Sequence, residues 1–405
     1  MSTVIRAPNL KTVLIASGVV LTLAMGVRHG FGFWLQPISQ AQGWTRETFS
    51  LALALQNLMW GVFGPFAGMA ADRFGTARVV VAGAFLYLAG LVWMATIDHP
   101  VLFVVGSGVL VGAALACTTF GALSGIIGRI APEAKRSWAF GLSSAAGSFG
   151  QFLMMPVEQQ LIAYAGWDNA FWLLGILIVL VVTPTALFLR EPVAAKSSAR
   201  EQSILEAVRE AFAYPSFRLL LAGYFVCGFQ LVFIGVHMPA YLKDRGLSDA
   251  NVAVVALALI GLFNIFGSYY AGKLGGIFPK RYLLSSIYIS RAVIIGLFLL
   301  APLTPWSVYV FSAAMGLLWL STVPLTNGVI AGIFGVRYLS MLSGFVFLSH
   351  QVGSFLGVWL GGYLYTRQGN YDAVWGITIV LSVAAALVNL PIRETAIFRA
   401  QPVPA

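Results

Sequence analysis

The most constraining feature of this sequence is a series of long apolar runs, separated by short segments that carry charge, glycine or proline. A helix needs about 20 apolar residues to cross a hydrocarbon layer of about 30 Å, because each residue advances it by about 1.5 Å. Runs of about this length occur at residues 12–36, 48–71, 78–97, 101–127, 137–164, 168–189, 217–241, 250–274, 282–301, 305–333, 338–365 and 371–392. We therefore predict an all-α membrane protein with twelve transmembrane helices, called helices 1 to 12 below.

The composition agrees with a membrane environment. Only 9% of the residues are charged, whereas a soluble domain carries roughly 25%. This scarcity excludes a soluble enzyme that hangs from a single membrane anchor. The continuous apolar runs also exclude an outer-membrane barrel, because barrel strands alternate apolar and polar residues. The first run continues from Thr12 to about Trp34 without a small-residue cleavage site, so we interpret it as a span and not as a signal peptide.

Lysine and arginine are distributed unevenly along the chain. Most of the 24 basic residues lie in the tails and in alternate connections, on the side of the membrane that both termini share. Only Arg46, Lys243, Arg245 and Arg367 fall in the connections of the other side. Cytoplasmic loops are rich in lysine and arginine, so we expect both termini in the cytoplasm and the chain in a bacterial inner membrane. The net charge of +10 then requires no nucleic-acid partner.

The second half of the sequence repeats the first. A constant shift of 203 positions, the difference between Gly43 and Gly246, also superimposes Arg78 on Arg281, Gly125 on Gly328, Gly141 on Gly344, Gly166 on Gly369 and Trp172 on Trp375. We therefore predict two pseudo-symmetric six-helix halves, residues 1–190 and 217–405. Between them, residues 191–216 form a linker. Paired halves of this kind are typical of transporters with a substrate site near the midplane, although a channel or a scaffold can share the architecture.

The linker contains apolar residues at helical spacing, among charged ones. They are Ile204, Leu205, Val208 and Phe212. This pattern predicts an amphipathic helix that lies on the membrane surface.

One connection carries a distinctive motif. The segment GMAADRFGTAR, from Gly68 to Arg78, lies between helices 2 and 3, and GKLGGIFPKR occupies the symmetric position. The motif resembles the cytoplasmic loop motif of the major facilitator superfamily. That resemblance implies a cytoplasmic gate between the halves, in which the carboxylate of Asp72 pairs with arginines. The gate residues are then Asp72, Arg73, Arg78 and Arg281.

Within that superfamily, the chain resembles the bacterial branch of the monocarboxylate-porter-like group. The resemblance rests on RHGFGFWLQPISQAQGWTRETFS at the exit of helix 1, HMPAY after helix 7, WLSTVPLT in helix 10 and FLSHQVGSFLG in helix 11. Porters of this group commonly place an arginine in helix 8, where this chain has Asn264. A drug–proton antiporter is the rival interpretation, but its usual motifs in helices 4 and 5 do not occur in the sequence.

Charged side chains inside the spans point to a site, because each costs roughly 2.5–3.5 kcal/mol to insert at mid-bilayer. Arg28 lies about 24 Å along helix 1 and is expected to face a substrate anion. The predicted substrate-binding residues are Arg28, His29, Phe31, Gln151, Gln230, Asn264, His350 and Gln351. Coupling to protons is expected because histidine titrates near neutral pH, and the candidates for it are His29, His350 and Glu158. Arg291, in helix 9, is left open between a structural and a substrate role.

The sequence also predicts what the chain lacks. We find no metal-ligand spacing, catalytic triad or phosphate-binding loop, so we expect neither an enzyme nor a cofactor nor ATP as the energy source. Cys117 and Cys227 lie within apolar runs and are expected to be core residues. The leading hypothesis is a monomeric secondary transporter whose partners are a small organic anion, protons and membrane lipid. Efflux of a larger amphiphilic compound and a non-transporting receptor or scaffold are the alternatives.

Overall fold

The structure, a computed structural model, describes residues 8–44, 46–191, 202–247 and 249–397. Within these ranges the regular secondary structure is helical throughout, without a strand. Eleven helices of the described ranges are long and apolar enough to cross a membrane. The prediction of an all-α membrane protein is therefore confirmed.

The helices match the predicted runs in order. In the first half they are helix 1 (Leu10–Gly30, extended by a 3₁₀ turn at Phe31–Trp34 and by Leu35–Gln42), helix 2 (Arg46–Phe74), helix 3 (Thr76–Thr96), helix 4 (Pro100–Ile130, with interruptions), helix 5 (Arg136–Ala165) and helix 6 (Trp167–Ala186). In the second half they are helix 7 (Pro215–Asp244), helix 8 (Ala250–Leu274), helix 9 (Lys280–Leu300), helix 10 (Pro305–Phe334, with one interruption), helix 11 (Leu339–Gln368) and helix 12 (Asp372–Asn389).

Helix 5 is the one span of these twelve that lacks a sufficiently apolar stretch. Serine, glutamine and glutamate side chains interrupt its apolar residues. Its buried residues include Ser144, Ser148 and Glu158, so much of its polar surface faces other helices and not lipid. A polar membrane helix of this kind is stable only where neighbouring helices satisfy its side chains.

The packing of the helices follows the internal repeat. In the first half, helix 1 packs on helix 5, helix 2 on helix 4 and helix 3 on helix 6. In the second half the equivalent pairs are helices 7 and 11, 8 and 10, and 9 and 12. Gly166 and Gly369, which the repeat superimposes, both end a helix with positive φ, at 80° and 73°, a conformation that favours glycine. The two six-helix halves are therefore pseudo-symmetric, as predicted.

Helices 4 and 10 differ from the continuous spans that the sequence predicts. Helix 4 contains a π-helical turn at Gly106–Val111 and is broken at Thr119, whose backbone is extended. Helix 10 is broken between Leu318 and Thr322. The two breaks occupy equivalent places in the repeat. A break leaves backbone N–H and C=O groups unpaired, and the bilayer interior contains no water to bind them. Side chains must therefore bind these groups at each break.

A linker helix, Ile204–Ala213, precedes helix 7. A capping box starts it, in which Ser203 accepts from the Glu206 N–H and Glu206 accepts from the Ser203 N–H. Its predicted apolar residues do not share one environment. Leu205 is 58% exposed, whereas Phe212 contacts the rings of Phe217 and Phe345. The preceding part of the predicted linker, residues 192–201, lies outside the described residues. That the helix lies on a membrane stays a prediction.

Candidate functional site

The two halves meet along two seams, one between helices 2 and 11 and the other between helices 5 and 8. Glycines allow close approach at both seams: a Cβ on Gly344 would lie 2.6 Å from the backbone of Gly64, and a Cβ on Gly141 would lie 2.8 Å from the Cα of Gly272. Small residues at a helix contact allow backbones to pack closely in a membrane. Both glycine pairs lie towards the membrane face at which helix 1 begins and helix 12 ends, which we call the termini face.

Hydrogen bonds between the halves also lie between the termini face and the midplane. Near the termini face, the Gly125 N–H donates to Ser340 Oγ at 3.0 Å. Nearer the midplane, Asn264 Nδ2 donates to Ser148 Oγ at 2.7 Å, and Gln351 Nε2 donates to the Asn57 carbonyl at 2.7 Å. The hydrogen bonds that join described residues of the two halves extend no further towards the opposite face. The halves are thus held together on the termini face.

An acidic residue of the sequence motif lies at this closed face. Asp72 Oδ2 accepts from the Met341 N–H, in the first turn of helix 11, at 2.9 Å. Its other oxygen binds Arg129 Nη1 at 2.9 Å, and Arg129 also forms a bidentate pair with Glu191. A carboxylate at a helix N-terminus is favourable because the free N–H groups and the helix dipole attract it. Asp72 therefore links the halves by capping helix 11.

The predicted arginine partners of Asp72 lie elsewhere in this conformation. Arg73 lies over the ring of Phe74, and Arg78 reaches the Phe74 carbonyl at 3.5 Å. Arg281 stays within the second half, where its N–H donates to Glu394 and its guanidinium lies over Tyr282. The arginine that pairs with Asp72 is Arg129, which the sequence analysis missed because it lies at the end of helix 4 and outside the motif. A role of the four predicted gate residues in alternation stays a prediction.

Beside the middle of helix 2, Arg28 lies among neutral polar and aromatic groups. Its Nη2 donates to Asn57 Oδ1 at 2.6 Å, and its guanidinium carbon lies 5.9 Å from the centre of the Trp60 ring. Its Nε is buried without a hydrogen-bond partner. Trp60 is held in turn by the break of helix 4, because its Nε1 donates to Thr119 Oγ1 at 3.0 Å.

The second half meets these groups through helix 11. The Trp60 ring lies 4.7 Å from the ring of Phe347, which stacks on His350 at 5.5 Å. His350 Nδ1 lies 3.0 Å from Gln351 Oε1, and Gln351 reaches helix 2 through the Asn57 carbonyl. These residues of both halves form what we call the central cluster: Arg28, Asn57, Trp60, Phe347, His350 and Gln351. Asn57, Trp60 and Phe347 are absent from the predicted site.

Two predicted site residues lie on the other seam. Asn264 is buried, bound to Ser148 and also to the Leu320 N–H, which its Oδ1 accepts at 2.9 Å. Gln151 lies beside Gly261, whose added Cβ would be 3.7 Å from it. They belong to the contact of helices 5 and 8 and not to the central cluster.

Three other predicted site residues bind within their own halves. Phe31 is enclosed, with its ring edge-on to Phe171. Gln230 is fully buried and donates to Ser382 and to the Thr378 carbonyl. His29 Nδ1 lies 2.6 Å from the Met25 carbonyl of its own helix. The expectation that Phe31 shapes the cavity and that Gln230 binds substrate conflicts with this placement, because both side chains are enclosed by helices of a single half.

Arg291, whose role the sequence leaves open, is fully buried at the break of helix 10. Its Nη2 donates to the carbonyls of Leu318 and Trp319 at 2.6 and 2.8 Å. Its Nη1 lies 3.3 Å from Gln230 Oε1 and 3.4 Å from Cys227 Sγ. These are the carbonyls that the break releases, so the contacts favour the structural alternative. The sequence analysis missed this role, although Pro324, in the first turn of the segment after the break, signals an interruption of helix 10.

Glu158 lies deep in the first half. The side chain is fully buried between helices 1 and 5, and its Oε2 accepts from Trp34 Nε1 at 2.9 Å. Its Oε1 has no hydrogen-bond partner. The Trp34 ring is stacked on Phe171 of helix 6 at 3.8 Å, so Glu158 lies against the packed core of this half.

The fold and the two seams are those of a known class of membrane proteins. Residues 16–328 match the family model of the Major Facilitator Superfamily. The chain belongs to the Major Facilitator Superfamily. It is therefore a membrane transporter and not an enzyme, and small-molecule transport is its general activity.

Curated relatives cover most of this Major Facilitator Superfamily chain. It is 24% identical over 402 residues to an uncharacterized MFS-type transporter, YcxA, of Bacillus subtilis (strain 168), with 95% of each chain covered. It is 28% identical over 358 residues to monocarboxylate transporter 11 of Homo sapiens, covering 84% of this chain and 74% of that one.

Solved structures show the same fold. The E. coli fucose:proton symporter FucP, in a variant form, superimposes with a TM-score of 0.72 at 17% identity, covering 95% of this chain and 98% of FucP. A second FucP structure, described as being in the outward conformation, has a TM-score of 0.71 at 17% identity, with 92% and 97% covered. At this level of identity the likeness concerns the fold alone.

Proposed function

We propose that this transporter moves a small organic anion of the monocarboxylate class across the bacterial inner membrane, by alternating access and with coupling to protons. The observation that carries the proposal is the state of Arg28. Its guanidinium lies within the transmembrane part of helix 1, binds the neutral Asn57, and keeps one N–H without a partner. Among the described residues no carboxylate forms an ion pair with it.

A substrate carboxylate supplies what this guanidinium lacks. An arginine remains charged in a protein and presents a planar fork that binds a carboxylate by two parallel hydrogen bonds. Arg28 is the one residue of the central cluster that is always charged, so the site favours one carboxylate over two. The rings of Trp60 and Phe347 offer an apolar surface to the part of the substrate that carries no charge. The similarity to a protein named monocarboxylate transporter 11 supports the same substrate class.

Alternating access follows from the two seams. The termini face is closed by the glycine contacts and by Asp72, and closure of the opposite face requires the halves to rock about the central cluster. The distribution of basic residues supports a cytoplasmic position for the termini face. This conformation is then the one that receives substrate from outside. Because one chain supplies both halves of the cluster, we propose that a monomer is the working unit.

Uptake by proteoliposomes tests the proposal. Purified protein is reconstituted, and uptake of radiolabelled lactate, pyruvate and benzoate is followed under an imposed pH gradient, acidic on the side of the opposite face. Succinate serves as the dicarboxylate comparison. We expect accumulation of at least one monocarboxylate, lost when a protonophore removes the gradient. Absence of binding and of flux for every carboxylate, with flux of a neutral or cationic compound, would overturn it.

Efflux of an amphiphilic compound is the second candidate, favoured by one observation. An open apolar groove runs between helices 1, 5, 6 and 8, with Gly18, Ala146 and Phe149 among its lining residues. Such a groove gives an amphiphile a path from the lipid phase towards the seam. Flux of a fluorescent lipophilic cation in the same liposomes, unaffected by Arg28→Ala, would favour this candidate.

A further inference from the structure

Glu158 is the carboxyl group of the described chain that combines complete burial with an unused oxygen. Its Oε2 accepts one hydrogen bond from Trp34, while Oε1 has none. A buried polar atom without a partner is costly, and an unpaired buried charge is costlier still. The site therefore holds a neutral, protonated carboxyl better than a carboxylate.

Among the side chains that the structure describes, no packed neighbour supplies a compensating charge. Helix 1 presents Gly30 and Trp34, and helix 6 presents the Phe171 ring behind Trp34. The nearby titratable group of helix 3 is Tyr87, whose hydroxyl already donates to the Ala24 carbonyl at 3.1 Å. The two basic residues that precede on helix 1, Arg28 and His29, bind Asn57 and the Met25 carbonyl.

The segments around Glu158 are suited to a local opening. Helix 1 changes from α to 3₁₀ geometry at Phe31–Trp34, which includes the residue that binds the carboxyl. Helix 5 contains Pro156 two positions before Glu158, and proline removes a backbone hydrogen bond from a helix. Gly30 gives the carboxyl its space, since a Cβ there would collide with it. A small displacement of the part of helix 1 that lies towards the opposite face would expose Glu158 to water.

We propose that Glu158 binds the coupling proton, and that helix 1 connects it to the anion site. Arg28 and Trp34 are six positions apart, about 9 Å along this helix, so an anion on Arg28 and a proton on Glu158 act on one element. The proton adds to a carboxylate oxygen while water reaches it from the opposite face. It leaves when the termini face opens, and no electron is transferred. This inference rests on the proposed function, because it presumes proton-coupled transport.

The two histidine candidates are less suited to this task. His29 follows Arg28 directly, so a second positive charge beside the guanidinium is repelled. His350 lies within the central cluster, where Gln351 and Ser354 bind its Nδ1. A proton on either would alter the anion site itself, whereas Glu158 is separate from it.

Glu158→Gln provides the test, because the amide keeps the shape and cannot bind a proton. In the liposomes described above, exchange of labelled against unlabelled monocarboxylate requires no net proton movement. We expect the variant to retain exchange within about twofold, to lose its dependence on external pH, and to lose accumulation driven by the gradient by about tenfold or more. The matched control is Glu133→Gln, which removes an exposed carboxylate between helices 4 and 5 and should leave both activities unchanged.

A second variant separates a proton site from a packing role. Trp34→Phe keeps a ring against Phe171 but removes the donor to Glu158. Since that donor stabilises the charged carboxylate, the pH profile of accumulation should move towards higher pH with coupling retained. If Glu158→Gln fails to fold, Glu158→Asp and Trp34→Phe carry the test, and an unchanged pH profile in both overturns the proposal.

The outcomes distinguish this proposal from the proposed function. Accumulation by Glu158→Gln at the wild-type level overturns the role of Glu158 alone. If the wild-type protein exchanges a monocarboxylate but a pH gradient does not drive its accumulation, the proton coupling of the proposed function fails, and the role of Glu158 fails with it. If the wild-type protein exchanges no carboxylate, the proposed substrate class fails. Infrared difference spectra of the detergent-solubilised protein then decide the proton site without a substrate. A protonated-carboxyl band that is present in the wild type and lost in Glu158→Gln supports it, and an unchanged band overturns it.

Discussion

Asp72→Asn should weaken closure of the termini face by an amount that can be worked out from its contacts. The bond across the seam runs from the Met341 N–H to Asp72 Oδ2 at 2.9 Å. A charge-assisted hydrogen bond contributes about 1.5–3 kcal/mol and a neutral one about 0.5–1.5 kcal/mol, so the amide forfeits about 1 kcal/mol. Loss of the charge at the N-terminus of helix 11 adds about 0.3–1 kcal/mol. The closed-to-open ratio should then fall by roughly tenfold to thirtyfold.

Double electron–electron resonance measures this ratio directly. Spin labels at Glu133 and Phe278 report on the termini face from opposite halves, and both side chains are exposed. The distance distribution of Asp72→Asn should gain a longer component, while affinity for a substrate added from the opposite face stays near the wild-type value. Asp98→Asn, which removes an exposed carboxylate elsewhere, is the control. A distribution identical to that of the wild type, or a large loss of affinity with closure intact, would refute the reasoning.

Substitutions at Arg28, Arg291 and Gly344 also have defined outcomes. Arg28→Ala should weaken monocarboxylate binding by about 2–5 kcal/mol, as for a desolvated charge pair, and Arg28→Lys by less; unchanged affinity in a binding titration would make Arg28 structural. Arg291→Ala should lower the melting temperature in detergent, because two buried carbonyls each lose a donor worth about 1–3 kcal/mol; an unaltered melting curve would remove its capping role. Gly344→Ala should hold the termini face open, since its Cβ would lie 2.6 Å from the Gly64 backbone, while Gly362→Ala on the same helix meets nothing within 4 Å; equal distance distributions for both variants would contradict this.

The sequence predicts the spans and the duplicated architecture because both depend on patterns within the chain. Hydropathy identifies a membrane helix without knowledge of its neighbours, and a shift that superimposes Gly166 on Gly369 needs only the residue order. Arg28 is also visible, because a charge inside an apolar run is conspicuous. The contacts at the breaks of helices 4 and 10 are not visible in the sequence, since each is made by a side chain from another helix. Thr119 and Arg291 become meaningful only once packing brings them to Trp60 and to Leu318.

The same distinction, between patterns within the chain and contacts made by packing, explains why the predicted partners of Asp72 at the gate differ from the observed one. Arg73 and Arg78 belong to a recognisable motif, but both lie on the exposed side of their turn. Arg129 shares no motif with Asp72 and reaches it because helix 4 ends beside helix 2. Asn57 is likewise unremarkable in the sequence, as one polar residue beside Gln56. Its importance arises from two partners on different helices, Arg28 and Gln351.

The two seams are equivalent contacts, because the repeat places helix 8 over helix 2 and helix 11 over helix 5. Gly141 on one seam and Gly344 on the other are counterparts in the duplication. A contact in which each unit offers the same two helices to the other is the isologous interface of a two-fold dimer. The two halves of this chain thus meet as two identical six-helix proteins would in a side-by-side dimer. The contact is nevertheless not identical on its two sides, because Asp72 caps helix 11 while its counterpart, Gly275, has no side chain that could cap helix 5.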